Sequence, residues 1–199
     1  MKKYIHMIAN GDFEGSTGNI LKFSVIAVVF VTLFSLMVYG TMQQMLRLGA
    51  NVVPVQLAGD VINKIESGAS VMSVVLPEKI EISKSLSPFV LILDQNKKVL
   101  ASSATLDGAI PVIPSGIFDW VAKSGQDRVT WQPRIGIREA LIIDKYSVGE
   151  VPGFVVAGAS LKESESAIDK IGKDIFIGWI IVNAFAITSI TFLEVSRKK

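Results

Sequence analysis

The sequence predicts an α+β domain with an antiparallel sheet, carried between two transmembrane helices. Two observations lead to this class. Two uncharged apolar stretches lie near the ends, Phe23–Met42 and Ile175–Leu193. Between them, short apolar runs separated by turn residues read as closely spaced strands, with helical periodicity on the flanks. The chain has 199 residues, of which 50% are hydrophobic and 19% charged. Typical soluble domains carry about 25% charged residues, and here the apolar excess is confined to the two stretches. Residues 43–174, roughly 130, are enough to bury one core of their own.

Crossing roughly 30 Å of hydrocarbon takes about 20 helical residues at 1.5 Å each. Residues 23–42 satisfy this, and Ser24, Thr32 and Ser35 can return their hydroxyls to the helix backbone. A cleaved signal peptide is the rival reading. Its apolar region runs about 7–15 residues and ends at small residues, whereas this run is longer and Gly40-Thr41-Met42 before Gln43-Gln44 is a weak cleavage site. For residues 175–193 the rival is a buried core helix, disfavoured by the basic trio Arg197-Lys198-Lys199 that follows. Tyr39 and Trp179 sit near the outer ends of the two stretches, as interfacial aromatics do. Lys2, Lys3 and Lys22 precede the first. The positive-inside rule therefore puts the tails, 1–22 and 194–199, in the cytoplasm and the domain outside the cell membrane.

Beyond the first span, Met42, Met45, Leu46, Val53, Leu57, Val61, Ile62 and Ile65 recur mostly three or four apart and predict continued helix. Pro54 should kink or divide it, Asn51 could cap the second part, and Gly68 should stop it. Residues 69–88 resist assignment, and Pro77 and Pro88 argue against a central strand. Phe89–Leu93 reads as a buried strand, Asp94–Lys98 as a turn and Val99–Ser102 as the returning strand. Residues 107–114 form a loop punctuated by proline. Ser115 is expected to cap a short helix through Lys123, with Ile117, Trp120 and Val121 facing inward and Gly125 at its end. Three strands follow, near 128–132, 138–144 and 154–159, with a loop holding Gly149, Pro152 and Gly153. Ser160-Leu161-Lys162-Glu163 matches a capping box. From Leu161 a helix is expected to run into the second span, with Gly172 as its flex point.

The net charge of +2 and the lack of a basic stripe argue against nucleic acid as a partner. Without cysteine there is no disulfide, thiol chemistry or cysteine-ligated zinc, and the one histidine is His6. No HExxH, GxSxG or phosphate loop is present, and no spacing selects a serine–lysine pair. Neither a catalytic role nor a cofactor or metal is expected.

The run Pro88-Phe89-Val90-Leu91-Ile92-Leu93-Asp94-Gln95-Asn96-Lys97-Lys98-Val99-Leu100-Ala101-Ser102-Ser103 resembles the opening hairpin of single PAS-like, or Cache-like, extracytoplasmic sensor domains of prokaryotic membrane receptors. Val155-Val156-Ala157-Gly158-Ala159-Ser160-Leu161 resembles their closing strand before the exit helix. The segment from Thr130 to Arg138 is similar to uncharacterised two-helix membrane proteins. The resemblance covers about residues 43–173 and implies a PAS/Cache-like sheet domain with sensing as its task. Such receptors continue into a cytoplasmic output module, which is not visible after Lys199. A sensor of this kind would signal through a separate membrane protein. The alternative is a non-catalytic structural or accessory subunit of a membrane complex, with a homodimer also compatible.

Candidate ligand-binding residues are Trp120, Trp131, Arg134, Arg138 and Tyr146. Arginine presents a rigid fork to carboxylates and indole a flat apolar wall, so a small acidic metabolite fits the set. Each also has a structural reading. The arginines could pair with Glu139, Asp144 or Asp127, and Trp131 could be core. Asp94 and Asp107-Gly108 are turn formers. Asn183, near the centre of the second span, is expected to pack helices together, within one chain or between copies, or to bond its own backbone.

Overall fold

The computed structural model describes residues 2–75, 78–149 and 151–196, with side chains from residue 18 onward. The expectations for Pro77 and for the basic trio at 197–199 lie outside the described residues. The chain divides into two compact units, residues 45–167 and residues 1–44 with 168–199.

The second of these is helical. Helices α1 (Lys2–Gly49) and α5 (Lys162–Ser196) supply it, and each is long and apolar enough to cross a membrane. Thr32 donates to the Val28 carbonyl at 2.7 Å, as its position in an apolar helix requires. The Thr32 hydroxyl also accepts the Trp179 indole N–H at 2.9 Å, which joins α1 to α5. Helix α5 runs unbroken through Gly172, as expected. The glycine admits the ring of Tyr39, which a Cβ would meet at 3.3 Å.

Residues 45–167 form the α+β unit. Helix α2 (Val52–Glu66) follows a break at Ala50–Asn51. Pro54 falls in its first turn, where a missing N–H costs nothing. Asn51 stands at its N-cap position but makes no side-chain cap bond. Its amide donates backward to the Arg47 carbonyl at 3.1 Å, which leaves the side chain unable to reach the first turn of α2. Gly68, at φ +97°, ends α2 as predicted. A short α3 (Val71–Val74) precedes β1 (Ile80–Glu81), and β1 pairs in parallel with β4 (Ala104–Thr105). The sequence left these residues unassigned because two-residue strands carry no period.

The main sheet contains β2 (Phe89–Asp94), β3 (Val99–Ser102), β5 (Gln126–Arg134), β6 (Ile137–Val148) and β7 (Val151–Ser160), in the order β3-β2-β7-β6-β5. Every neighbouring pair is antiparallel, as the short connections predict. The last three strands are longer than expected. Pro152 and Gly153, read as loop, lie inside β7, where Gly153 leaves room for the Tyr146 ring that a Cβ would meet at 2.5 Å.

Alternation along the strands sorts the core into two faces. Leu91, Leu141, Ile143, Phe154 and Val156 face α4 (Ser115–Ser124) through Phe118 and Val121. Val90, Ile92, Ile142, Val155 and Ala157 face α2 through Ala58, Val61 and Ile65. Two helix ends depart from the sequence reading. Pro114 occupies the N-cap of α4, so Ser115 is already helical. At the start of α5, the Ser160 hydroxyl accepts from Lys162 N–H at 3.4 Å and the Leu161 carbonyl accepts from Glu165 at 2.9 Å. This shifts the cap to Leu161 and leaves the predicted box unformed.

Candidate functional site

The β2–β3 hairpin turns on Asp94. Its Oδ1 accepts the backbone N–H groups of Asn96 and Lys98 at 2.8 and 2.9 Å, the Asx turn its position predicts. The turn holds Lys97 at φ +65°, a left-handed conformation that costs a residue with a Cβ roughly 1 kcal/mol. Glycine or asparagine would sit there more easily, yet the position carries a long cation. Its ammonium donates to Asp119 Oδ1 at 2.6 Å and to the Ser115 carbonyl at 3.3 Å, tying the hairpin to α4.

Beneath this bridge lies a cavity of about 390 Å³, within the range of small-molecule sites. It is lined by Leu91, Leu93 and Val99 of the hairpin, by Phe118 of α4 and by the segment 110–113. Phe118 is fixed by an edge-on contact with Phe154, ring centres 5.3 Å apart. Of the lining residues, Lys97 and Ser115 are polar and only Lys97 is charged. Ile110 and Val112 lie at the surface, Val112 at 85% exposure.

None of the five residues picked from the sequence lines this cavity. Trp120, expected on the inner face of α4, points outward, because Phe118 and Val121 take that face. Trp131 is buried in the core on the α4 side of the sheet and Tyr146 in the core on the α2 side. The Tyr146 hydroxyl makes one long bond, 3.5 Å, to the Leu93 carbonyl. Burial, and secondarily the charge of Asp94, pushes its phenol above the ordinary value. The two arginines, four apart in sequence, lie on different strands across the β5–β6 turn. Arg134 pairs with Asp107 at 2.9 Å and Arg138 with Glu165 in the first turns of α5. The acids considered from sequence were Glu139, Asp144 and Asp127. Strand pairing instead turns Gln126 toward Asp144, at 2.8 Å, and buries Glu139.

Glu139 is the anomaly of the sheet. It is 1% exposed, lies across from Trp131 and Ser160, and its Oε1 has no hydrogen-bond partner. Burial alone pushes its carboxyl up to about 7. Glu81 is the converse. Hydrogen bonds from Ser83 and from the backbone of Asp107 and Gly108 hold its carboxyl down at about 2. That clasp fixes the turn whose Asp107 carboxylate meets Arg134.

In the helical unit, Asn183 is buried. Its amide N–H donates to the Trp179 carbonyl at 2.7 Å and its Oδ1 is unpartnered. A groove of about 430 Å³ runs beside the Thr32–Trp179 bond, bounded by Tyr39, Gly172 and Phe176. Among the described residues no three carboxylates or histidines gather as a metal-holding group.

No protein-family model matches the chain, and no curated protein matches it.

Proposed function

We propose that this protein is a membrane-anchored, extracytoplasmic ligand-binding module of PAS/Cache-like type, which passes its state to a separate membrane effector. In this reading α1 and α5 cross the membrane through residues 23–42 and 175–193, both tails are cytoplasmic, and residues 43–174 lie outside. The single observation that carries the reading is the cavity over β2 and β3, bounded by α4 and the 110–113 segment. A mostly apolar pocket of this size with one charged group at its edge is of the kind that small molecules occupy. The opening hairpin β2–β3 and the closing strand β7 pair directly, which supports the resemblance carried by their sequences. The apolar character of both long helices supports membrane anchoring. Because α1 lies near the N-terminus, a labelled N-terminal tag retained on mature protein distinguishes a span from a cleaved signal.

One observation favours the accessory-subunit alternative. Met45 and Leu48 near the end of α1 and Val52 at the start of α2 are mostly solvent-exposed, apolar surface a partner protein could cover.

Native mass spectrometry of the full-length protein, released gently from its own membrane, separates the two. A bound molecule of a few hundred daltons, lost on Phe118→Trp filling of the cavity, supports the receptor. Repeated recovery without ligand but with one protein partner overturns it in favour of the subunit.

A further inference from the structure

We infer that the cavity takes a small organic anion, an apolar body bearing one carboxylate, and that this carboxylate displaces Asp119 from the Lys97 ammonium. The inference rests on the ligand-binding reading above and specifies its chemistry. Three features of the site carry it.

The first is the lining. Apart from the Ser115 backbone and hydroxyl, the walls are aliphatic or aromatic, and the one charge among them is positive. A ligand burying apolar surface there leaves its polar end at Lys97, and an acid end is the one that end of the site rewards. The second is the placement of Lys97. A left-handed turn position with a local cost is occupied by lysine, and the Asx turn fixes its backbone so that the side chain extends to α4. The third is the weakness of its present bond. Asp119 has a side chain 68% exposed, and an exposed ion pair is easily exchanged. Swapping Asp119 for a ligand carboxylate leaves the ammonium paired and returns Asp119 to water. Ile110 and Val112, apolar and at the surface, then have a ligand surface to pack against.

The test is hydrogen–deuterium exchange on the full-length protein in neutral-lipid nanodiscs, with phenylacetate and 4-methylpentanoate as probes and their amides as neutral counterparts. The acids should slow exchange in residues 97–99 and 110–119, with the amides roughly tenfold weaker or worse. Lys97→Gln should erase the advantage of the acids, while Lys97→Arg keeps it. Asp119→Asn should tighten acid binding several-fold, a gain that misfolding cannot produce. Equal protection by acid and amide, unchanged in Lys97→Gln, overturns the anion while leaving the cavity as a binding site. No protection by any of the four probes overturns the anion, while the receptor reading is overturned only by the ligand-free, partner-bound protein in native mass spectrometry.

Discussion

Replacing Glu139 by glutamine should change how the α+β unit responds to pH. The native carboxyl titrates near 7, against 4.5 for a solvated glutamate, because β5, β6 and β7 enclose it without a partner for Oε1. The native state therefore holds this proton more tightly than the unfolded chain. The contribution is fully present below about pH 4.5 and is lost as pH rises through 7. At about 1.36 kcal/mol per pKa unit, a difference of some 2.5 units amounts to roughly 3 kcal/mol. Charged groups elsewhere on this part of the molecule do not relieve it. Glu81 is bonded to the 107–108 turn, Asp107 to Arg134, and Arg138 to Glu165 on the opposite side of β6. Glutamine does not titrate, so the stability difference between Glu139→Gln and the parent should grow by about 3 kcal/mol between pH 4.5 and 8. A constant offset from the unpartnered amide does not affect this change. Urea unfolding of the full chain in a non-ionic micelle, followed through Trp131 with Trp120 and Trp179 replaced by phenylalanine, reads it directly. Parallel stability curves for the two proteins across that range would refute a neutral, sealed Glu139.

Gly158→Ala should cost about 1–3 kcal/mol, since its Cβ would meet the Phe89 ring at 2.3 Å and Leu141 at 2.7 Å. The midpoint of the same urea curve checks it. Gly125→Ala, at φ +88° after α4, should cost roughly 1 kcal/mol and increase exchange in the last turn of α4. Arg138→Ala should change global stability by less than about 1 kcal/mol, because both partners of its ion pair are nearly half exposed.

The sheet was legible where local chemistry decides structure. Asp94 announces its turn, Gly68 and Gly125 announce helix ends, and the runs 89–93 and 154–159 alternate too little to be anything but buried strands. Two caps were misplaced by one residue: Pro114 rather than Ser115 precedes α4 and Leu161 rather than Ser160 precedes α5, while Asn51 holds the N-cap position of α2 but turns its amide to a nearer carbonyl. The candidate site was the least legible part. Residue types associated with recognition, tryptophan and arginine, proved to be core, surface or ion-pair groups. Lys97 could have been noticed as a long cation at a turn position that favours asparagine or glycine, but its partner Asp119 lies 22 residues later. No sequence period links a hairpin turn to a helix across that distance.

The position of the cavity follows from how the two faces of the sheet are covered. Five strands about 4.8 Å apart make a surface roughly 20 Å wide, and one helix with its side chains covers about 10 Å of it. On one face α2, with 15 residues, lies against β6 and β7, and α3 covers β3 beside it. On the other face α4 has 10 residues and packs on β5 and β6. On that face β7 is reached by Phe118 through Phe154, and β2 and β3 are left to the β1–β4 pair, whose Ala104 and neighbouring Ile82 join the same core, and to the segment 110–114, with Pro111 and Pro114. Prolines remove backbone donors and restrict the preceding residue, so such a segment can arch over strands but cannot pack down as a helix. An opening above β2 and β3 is the geometric remainder, and the β2–β3 turn delivers Lys97 to its edge. Shortening the arch by deleting Val112 should therefore close the cavity while leaving the sheet register unchanged. Loss of probe binding together with native strand protection in hydrogen exchange would show that covering, not the sheet, creates the site.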